Sequence, residues 1–487
     1  MNRINLARNT TFYTGALTFQ KILAFFYFWF ISNNLLADQL GQYVFALSFT
    51  TMFSIFIDLG LSPILTREAA KNPAMANTYL KNVIGVKLPL SLLTLIAAWL
   101  TIYFSGKPPA VQLLVYLASF IMLLDSFSLS GWVIFRSRHN LSYESVITVF
   151  VQLIIFILGL IALKLSGQVK YLLAGLLVAS LFNLAMVTLL LKFKLKFSLR
   201  PSYDSAVIRH FLSILPAFAL AGIFVKIYNT SDSVLLSYLD SDAAVGYFAV
   251  PAKVVYAFQQ IIPAAFAAVI FPTFSYYYAH SQTLLKQTFE RAFVYLTIVS
   301  WPIAIGLITV LPQAVAMIWP DYLAVVPCFY VMISALPFIF LAFPTGYLLN
   351  SCDRQNQTTL NRGIITVLAV VLNIILIPRL SFFGAGLTFF VTNFFLLLLD
   401  FYWVRNVIKL SYRFLLVVTL KTLLACAAMV AGIWLVRPYF GLMIEVALGA
   451  GIYFVCLYAL KGLNLREMAG FFSQSGTEPQ DLNNSSL

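Results

Sequence analysis

Three lysines stand where a lysine is costly. Lys21, Lys226 and Lys253 lie inside long apolar stretches. An ammonium group deep in a membrane-crossing helix costs about 2.5–3.5 kcal/mol on insertion scales. Lys226 is 14 residues before Asp240 and Lys253 is 13 residues after it, either side of the acidic link Ser237-Tyr-Leu-Asp-Ser-Asp-Ala243. In an antiparallel helical hairpin that spacing sets both ammonium groups at one depth, roughly 20 Å from the link at about 1.5 Å per residue. Two cations at one level suit an anionic ligand. The plainer readings are lysines paired with carboxylates for structure, or lysines reaching to an interface along their aliphatic stems.

The acids nearby decide between these readings. Asp232 is six residues from Lys226, too far for a same-face helical pair, and is expected nearer the outer mouth of its helix. Asp58 stands in Asp58-Leu-Gly-Leu-Ser-Pro63, where Gly60 and Pro63 can break a helix. Three roles are open to it: partner of a lysine such as Lys21, proton or cation site, or helix-end cap. Asp125, in a span with Ser126 and Ser128, is read as a lysine partner, with a proton relay as the sharper alternative. Asp400 is expected to be structural, close to Arg405, and Glu445 interfacial.

Composition dictates the elements that must carry these residues. The chain is 61% hydrophobic and only 10% charged, with a mean hydropathy of +0.91. Soluble domains carry about 25% charge, so the reading is an all-α, multi-pass membrane protein. About 14 apolar runs of crossing length follow one another between residues 12 and 460, the third drawn at 83–104. Of the 31 lysines and arginines, 23 fall in alternate segments, five in the intervening ones and three within spans. The 23 include Arg67, Lys71, Lys81 and Lys87, grouped in the link after the second span. By the positive-inside rule the richer side, with both termini, is cytoplasmic. The net charge of +14 is thereby used for orientation, and no nucleic acid is expected. The most basic link, 192–201, is an orientation signal that also touches anionic membrane lipid.

No enzyme-like constellation appears: no paired-carboxylate loop, Walker lysine or nucleophile elbow, and no cofactor motif. The four cysteines form no CxxC and the three histidines no metal spacing. The N-terminal stretch is read as a retained first helix, and residues 473–487 as a disordered polar tail.

The chain also repeats. Ile147-Thr-Val149 and Ile365-Thr-Val367, Ala174-Gly-Leu176 and Ala385-Gly-Leu387, and Gly41-Gln-Tyr43 and Gly246-Tyr247 keep a six-span offset. Two like-oriented lobes follow, related by an axis along the membrane normal, a design that binds substrate between lobes and alternates access. The expected division is an N-lobe at 1–192, a basic linker at 193–210, a C-lobe at 211–410, two added spans at 411–472, and the tail at 473–487. Lys21 and Lys226 each precede the matching glycines by 20 residues. The three lysines then form one set.

Three stretches, Asp58-Leu-Gly-Leu-Ser-Pro-Ile-Leu-Thr-Arg67, Phe135-Arg-Ser-Arg-His-Asn-Leu-Ser-Tyr143 and Asp232 through Lys253, resemble the polysaccharide-lipid flippases, the Wzx-type O-antigen family of the multidrug/oligosaccharidyl-lipid/polysaccharide (MOP) exporter superfamily. The resemblance covers most of the chain, at least its first twelve spans. It implies two lobes around a cationic cavity in the cell membrane. It also implies transport of a polyprenyl-diphosphate-linked oligosaccharide from the cytoplasmic to the outer leaflet. Polysaccharide polymerase and glycosyltransferases are the implied partners. Members differ in which basic residues line the cavity, so the likeness alone assigns no lysine. A multidrug or toxin extruder, a lipid II flippase and a membrane-embedded glycosyl or acyl transferase are the alternatives.

Overall fold

The computed structural model describes residues 3–462, apart from the side chains of 3–14, 217–218, 261–262, 264–265 and 267–269. The tail read as disordered lies outside the described residues. The helices are α1 (Arg3–Asn34), α2 (Ala37–Asp58), α3 (Leu61–Lys71), α4 (Ala76–Phe104), α5 (Pro109–Ser137), α6 (Ser142–Leu165), α7 (Val169–Leu189) and α8 (Ser205–Leu239). There follow α9 (Asp242–His280), α10 (Gln282–Ile318), α11 (Val326–Ser334), α12 (Leu336–Ser351), α13 (Gln355–Val404), α14 (Tyr412–Val436) and α15 (Leu442–Ala459).

Eleven helical stretches are long and apolar enough to cross a membrane, and α8, whose two parts meet at 55°, makes a twelfth. The 50-residue α13 is two spans, because Ser381 leaves helical geometry with φ 55° and ψ −142°. A Cβ on Gly384 would lie 2.6 Å from the carbonyl oxygen of Leu376. Residues eight apart in a straight helix are about 12 Å apart, so the chain folds back at this point. Among the described residues this gives eleven crossing stretches, or twelve with α8, against the about fourteen that hydropathy predicts; the break in α13 accounts for one further crossing.

By packing, the chain divides into two compact units: Met1–Lys253 with Arg362–Thr388, and Val254–Asn361 with Phe389–Leu487. In the first, links alternate between two ends. At one end, Ser202 N donates to Lys81 O at 3.2 Å and Asp204 N to Asn82 Oδ1 at 2.6 Å. His210 Nε2 meets Glu68 Oε2 at 3.1 Å, and Arg138 stacks over Phe197 at 5.0 Å. These links are the ones the charge bias assigns to a single side. At the other end, Lys107 Nζ donates to Ser237 O at 2.6 Å and to Asp242 Oδ1 at 2.8 Å. There the Ser381 hydroxyl also donates to Asp240. In the second unit Ser411 N donates to Glu290 Oε1 at 2.8 Å, and both residues belong to links read as lying on one side.

The glycines noted as a repeat also touch. A Cβ on Gly41 would fall 1.6 Å from Asp242 O, and one on Gly246 2.0 Å from Ala37 O. The first turns of α2 and α9 thus cross backbone against backbone, the approach that small residues allow between membrane helices.

The orientation read from the basic residues has a direct check. In a chain with its four native cysteines replaced, Ser166→Cys, in the exposed link after α6, is expected to react with a membrane-impermeant maleimide on intact cells. Ser198→Cys, in the exposed basic link, is expected to react only after permeabilisation. The reverse pattern inverts the topology.

Candidate anion-binding site

The site begins with a helix break. Leu59 and Gly60 both take left-handed conformations, φ 43° and 84°. Glycine adopts this without cost and leucine does not. α2 therefore stops at Asp58 and α3 starts at Leu61, leaving fresh amides at its first turn. Asp58 covers them: Ser62 N donates to Oδ2 at 3.4 Å, and the Ser62 hydroxyl donates to Oδ1. A carboxylate there also matches the positive end of the α3 dipole.

Lys87 enters from α4. Its ammonium lies 2.6 Å from Asp58 Oδ1 and donates to Ser126 O at 3.1 Å and Ser126 Oγ at 3.2 Å, with Ser62 Oγ at 3.5 Å. Its side chain is 0% exposed. This corrects its place among the link residues: Lys87 lies well inside a 29-residue helix. It also selects among the roles open to Asp58, which is a lysine partner and a helix cap together. The partner is Lys87 and not Lys21. Burial of two charges carries a large desolvation cost, and it is matched here because the ammonium protons all meet oxygens.

Lys226 projects from α8, which packs on α2. Its ammonium donates to the Ser54 hydroxyl, one turn before Asp58, and lies within electrostatic reach of both Asp58 and Lys87. Lys226 is half-buried. Lys253 of α9 is likewise half-buried, its Nζ 5.4 Å from the centre of the Phe28 ring on α1, a cation–π contact. Lys21 is exposed on α1, two turns before Phe28 and close enough for its charge to act on Lys253. Among the described residues none of these three lysines forms an ion pair. Lys87 is therefore neutralised where it is buried, while Lys21, Lys226 and Lys253 have no carboxylate of their own among the described residues.

Of the other acids, Asp125 departs from its expected lysine partner. Asp125 is exposed on α5 beside the Ser180 hydroxyl, not beside a lysine. Successive helical residues point about 100° apart, so a helix that turns Ser126 toward Lys87 turns Asp125 away. Asp232 is buried two turns before the end of α8, and Asn373 Nδ2 donates to its Oδ1 at 2.6 Å. In the second unit Asp400 accepts from Asn361 at 2.8 Å and from Thr345 at 3.4 Å, while Arg405 stacks on Tyr402 at 4.2 Å. Glu445 is buried in the first turn of α15, at the end of its span.

A chain of membrane-crossing helices that carry unpaired lysines suits a transport architecture. The model of the polysaccharide biosynthesis protein family matches residues 6–278, more than half of the 487 residues. The chain belongs to that family. No curated protein matches it in sequence. Among solved structures it is similar to the lipid II flippase MurJ in an inward closed conformation, at a TM-score of 0.76 and 14% identity, over 94% of this chain and 99% of that one. It is similar also to an inward-facing multidrug resistance MATE family transporter of the MOP superfamily, at 0.64 and 15%, over 80% and 94%. A third is a MOP superfamily transporter from Pyrococcus furiosus, at 0.52 and 13%, over 83% and 94%. The fold is that of these all-helical transporters.

Asp58→Ala leaves the Lys87 ammonium buried against neutral oxygens alone. Breaking such a pair costs about 3–5 kcal/mol, seen as a lowered Tm in detergent and a reduced yield of monodisperse protein. Lys21→Ala, at an exposed position, is expected to stay within about 0.5 kcal/mol. An Asp58→Ala protein as stable as the parent means that the ion pair is not formed.

Proposed function

We propose that this chain is a flippase of the cell membrane, with both termini cytoplasmic. It moves a polyprenyl-diphosphate-linked oligosaccharide repeat unit from the cytoplasmic to the outer leaflet by alternating access. The observation that carries this reading is the set of unpaired ammonium groups, Lys21, Lys226 and Lys253. A diphosphate is the part of such a lipid that resists an apolar interior most strongly, and lysines act on phosphates as point charges. In this reading the lobes at 1–192 and 211–410 rock about the substrate, and 411–472 adds two spans. Membrane lipid surrounds the chain. Glycosyltransferases supply the cytoplasmic substrate and a polymerase consumes the flipped product.

The chain acts as a transporter and not as an enzyme. Asp58, the acid at the helix break that an extruder of organic cations could use, is already neutralised by Lys87. MurJ-like fold similarity keeps lipid II as the rival substrate, since it too carries a diphosphate. In vesicles holding the purified protein, a fluorescent lipid-linked oligosaccharide is expected to cross with no new covalent bond. The Lys226→Ala/Lys253→Ala variant is expected to lose about tenfold or more, from charge-assisted contacts of roughly 1.5–3 kcal/mol each. Undiminished transport by that variant removes the anion site. Preference for lipid II, cation-driven dye efflux or a newly bonded product selects the corresponding alternative.

Asp232 is the proposed coupling residue. Its buried carboxylate meets the Asn373 amide, whose own Oδ1 has no hydrogen-bond partner among the described residues. Carboxylate and amide oxygens suit a proton or a hard cation. Asp125, beside Ser180, is the second candidate. Asp232→Asn is expected to abolish stimulation by an imposed Na⁺ or H⁺ gradient while leaving substrate binding intact. Unchanged gradient dependence in Asp232→Asn, with loss in Asp125→Asn, moves coupling to Asp125.

A further inference from the structure

We propose that Lys87 is a positioning residue: it holds Asp58 in a closed ion pair so that Lys226, one turn away along α2, keeps its charge for an anionic ligand. The inference rests on the anion-site reading above. Asp58 carries one negative charge within electrostatic reach of two ammonium groups. One is Lys87, at 2.6 Å, fully buried and hydrogen-bonded to Asp58 and Ser126. No surface of that ammonium is left for a ligand. The other is Lys226, half-buried and bonded to the neutral hydroxyl of Ser54.

Ser54 and Asp58 are four residues apart on α2, so they share a helix face. A carboxylate released from Lys87 has Lys226 within its electrostatic reach. The Ser62 amide and hydroxyl hold that carboxylate at the head of α3. It therefore stays in place when its partner is removed. Which lysine Asp58 takes sets whether Lys226 is quenched or available. Lys87 acts only through Asp58 and touches no ligand.

The test is binding of farnesyl diphosphate to the purified full chain in nanodiscs by calorimetry, with thermal unfolding recorded for each variant. Lys226→Ala is expected to weaken binding about tenfold or more, the scale of a lost charge-assisted contact. Lys87→Met is expected to weaken it comparably, although residue 87 is sealed from the ligand. The Lys87→Met/Asp58→Asn pair, which removes the competing carboxylate, is expected to recover most of the affinity. Ser54→Asp offers Lys226 a carboxylate directly and is expected to reproduce the Lys87→Met defect without disturbing Lys87, should Lys87→Met not fold. Parent-like binding by Lys87→Met or by Ser54→Asp overturns the proposal. So does a folded double variant that binds no better than Lys87→Met, because a merely structural lysine gives that result. Parent-like binding by Lys226→Ala instead overturns the anion-site reading itself, before the question of Lys87 arises.

Discussion

An ammonium group taken out of water must find an anion, a set of oxygens, or a reason to remain uncompensated. The first packing unit contains all three cases. Lys87 finds Asp58 and the oxygens of Ser126. Lys226 finds only a serine hydroxyl. Lys253 finds only an aromatic face. The break at Leu59–Gly60 makes the first case possible, because it frees Asp58 from the end of α2 to cap α3 and to meet α4 at one point. The helix break, the cap and the ion pair are one local solution. Its consequence is a net positive charge on neighbouring helices that nothing in the described residues neutralises.

The surrounding frame serves that charge. Backbone-close crossing of α2 and α9 at Gly41 and Gly246 brings the helices bearing Ser54, Asp58 and Lys253 together at one end. Lys107, reaching Ser237 and Asp242, ties the α4–α5 link to the α8–α9 link at that same end. The opposite end is tied by different chemistry, backbone and side-chain bonds from the basic linker to α4 together with His210 against Glu68.

Much of this was legible in the residue pattern. Long apolar runs gave the crossings, because a bilayer demands helices of fixed length. The acidic link around Asp240 marked the boundary between the helices that carry Lys226 and Lys253, α8 and α9. Gly60 announced the break after Asp58. What could not be read was pairing across distance. Asp58 and Lys87 are 29 residues apart on different helices, and only packing brings them together. A signal for Lys87 did exist: it lies four residues inside the span drawn at 83–104, yet grouping it with loop residues for the charge bias hid it. Asp125 misled for the opposite reason. Its depth in the sequence was right, but its helical face, which no single-chain pattern fixes, points to Ser180. Gly41 and Gly246 were legible as a repeat and illegible as a contact.

The central claim is that the unpaired lysines receive an anion. Its most direct measurement is an experimental structure of the full chain with a polyprenyl diphosphate bound. Diphosphate density within ion-pair distance of Lys226 or of the Lys21 and Lys253 ammonium groups, with the Lys87–Asp58 pair intact beside it, is the expected result. Density for the diphosphate elsewhere, or carboxylates found closing onto these three lysines, would contradict it.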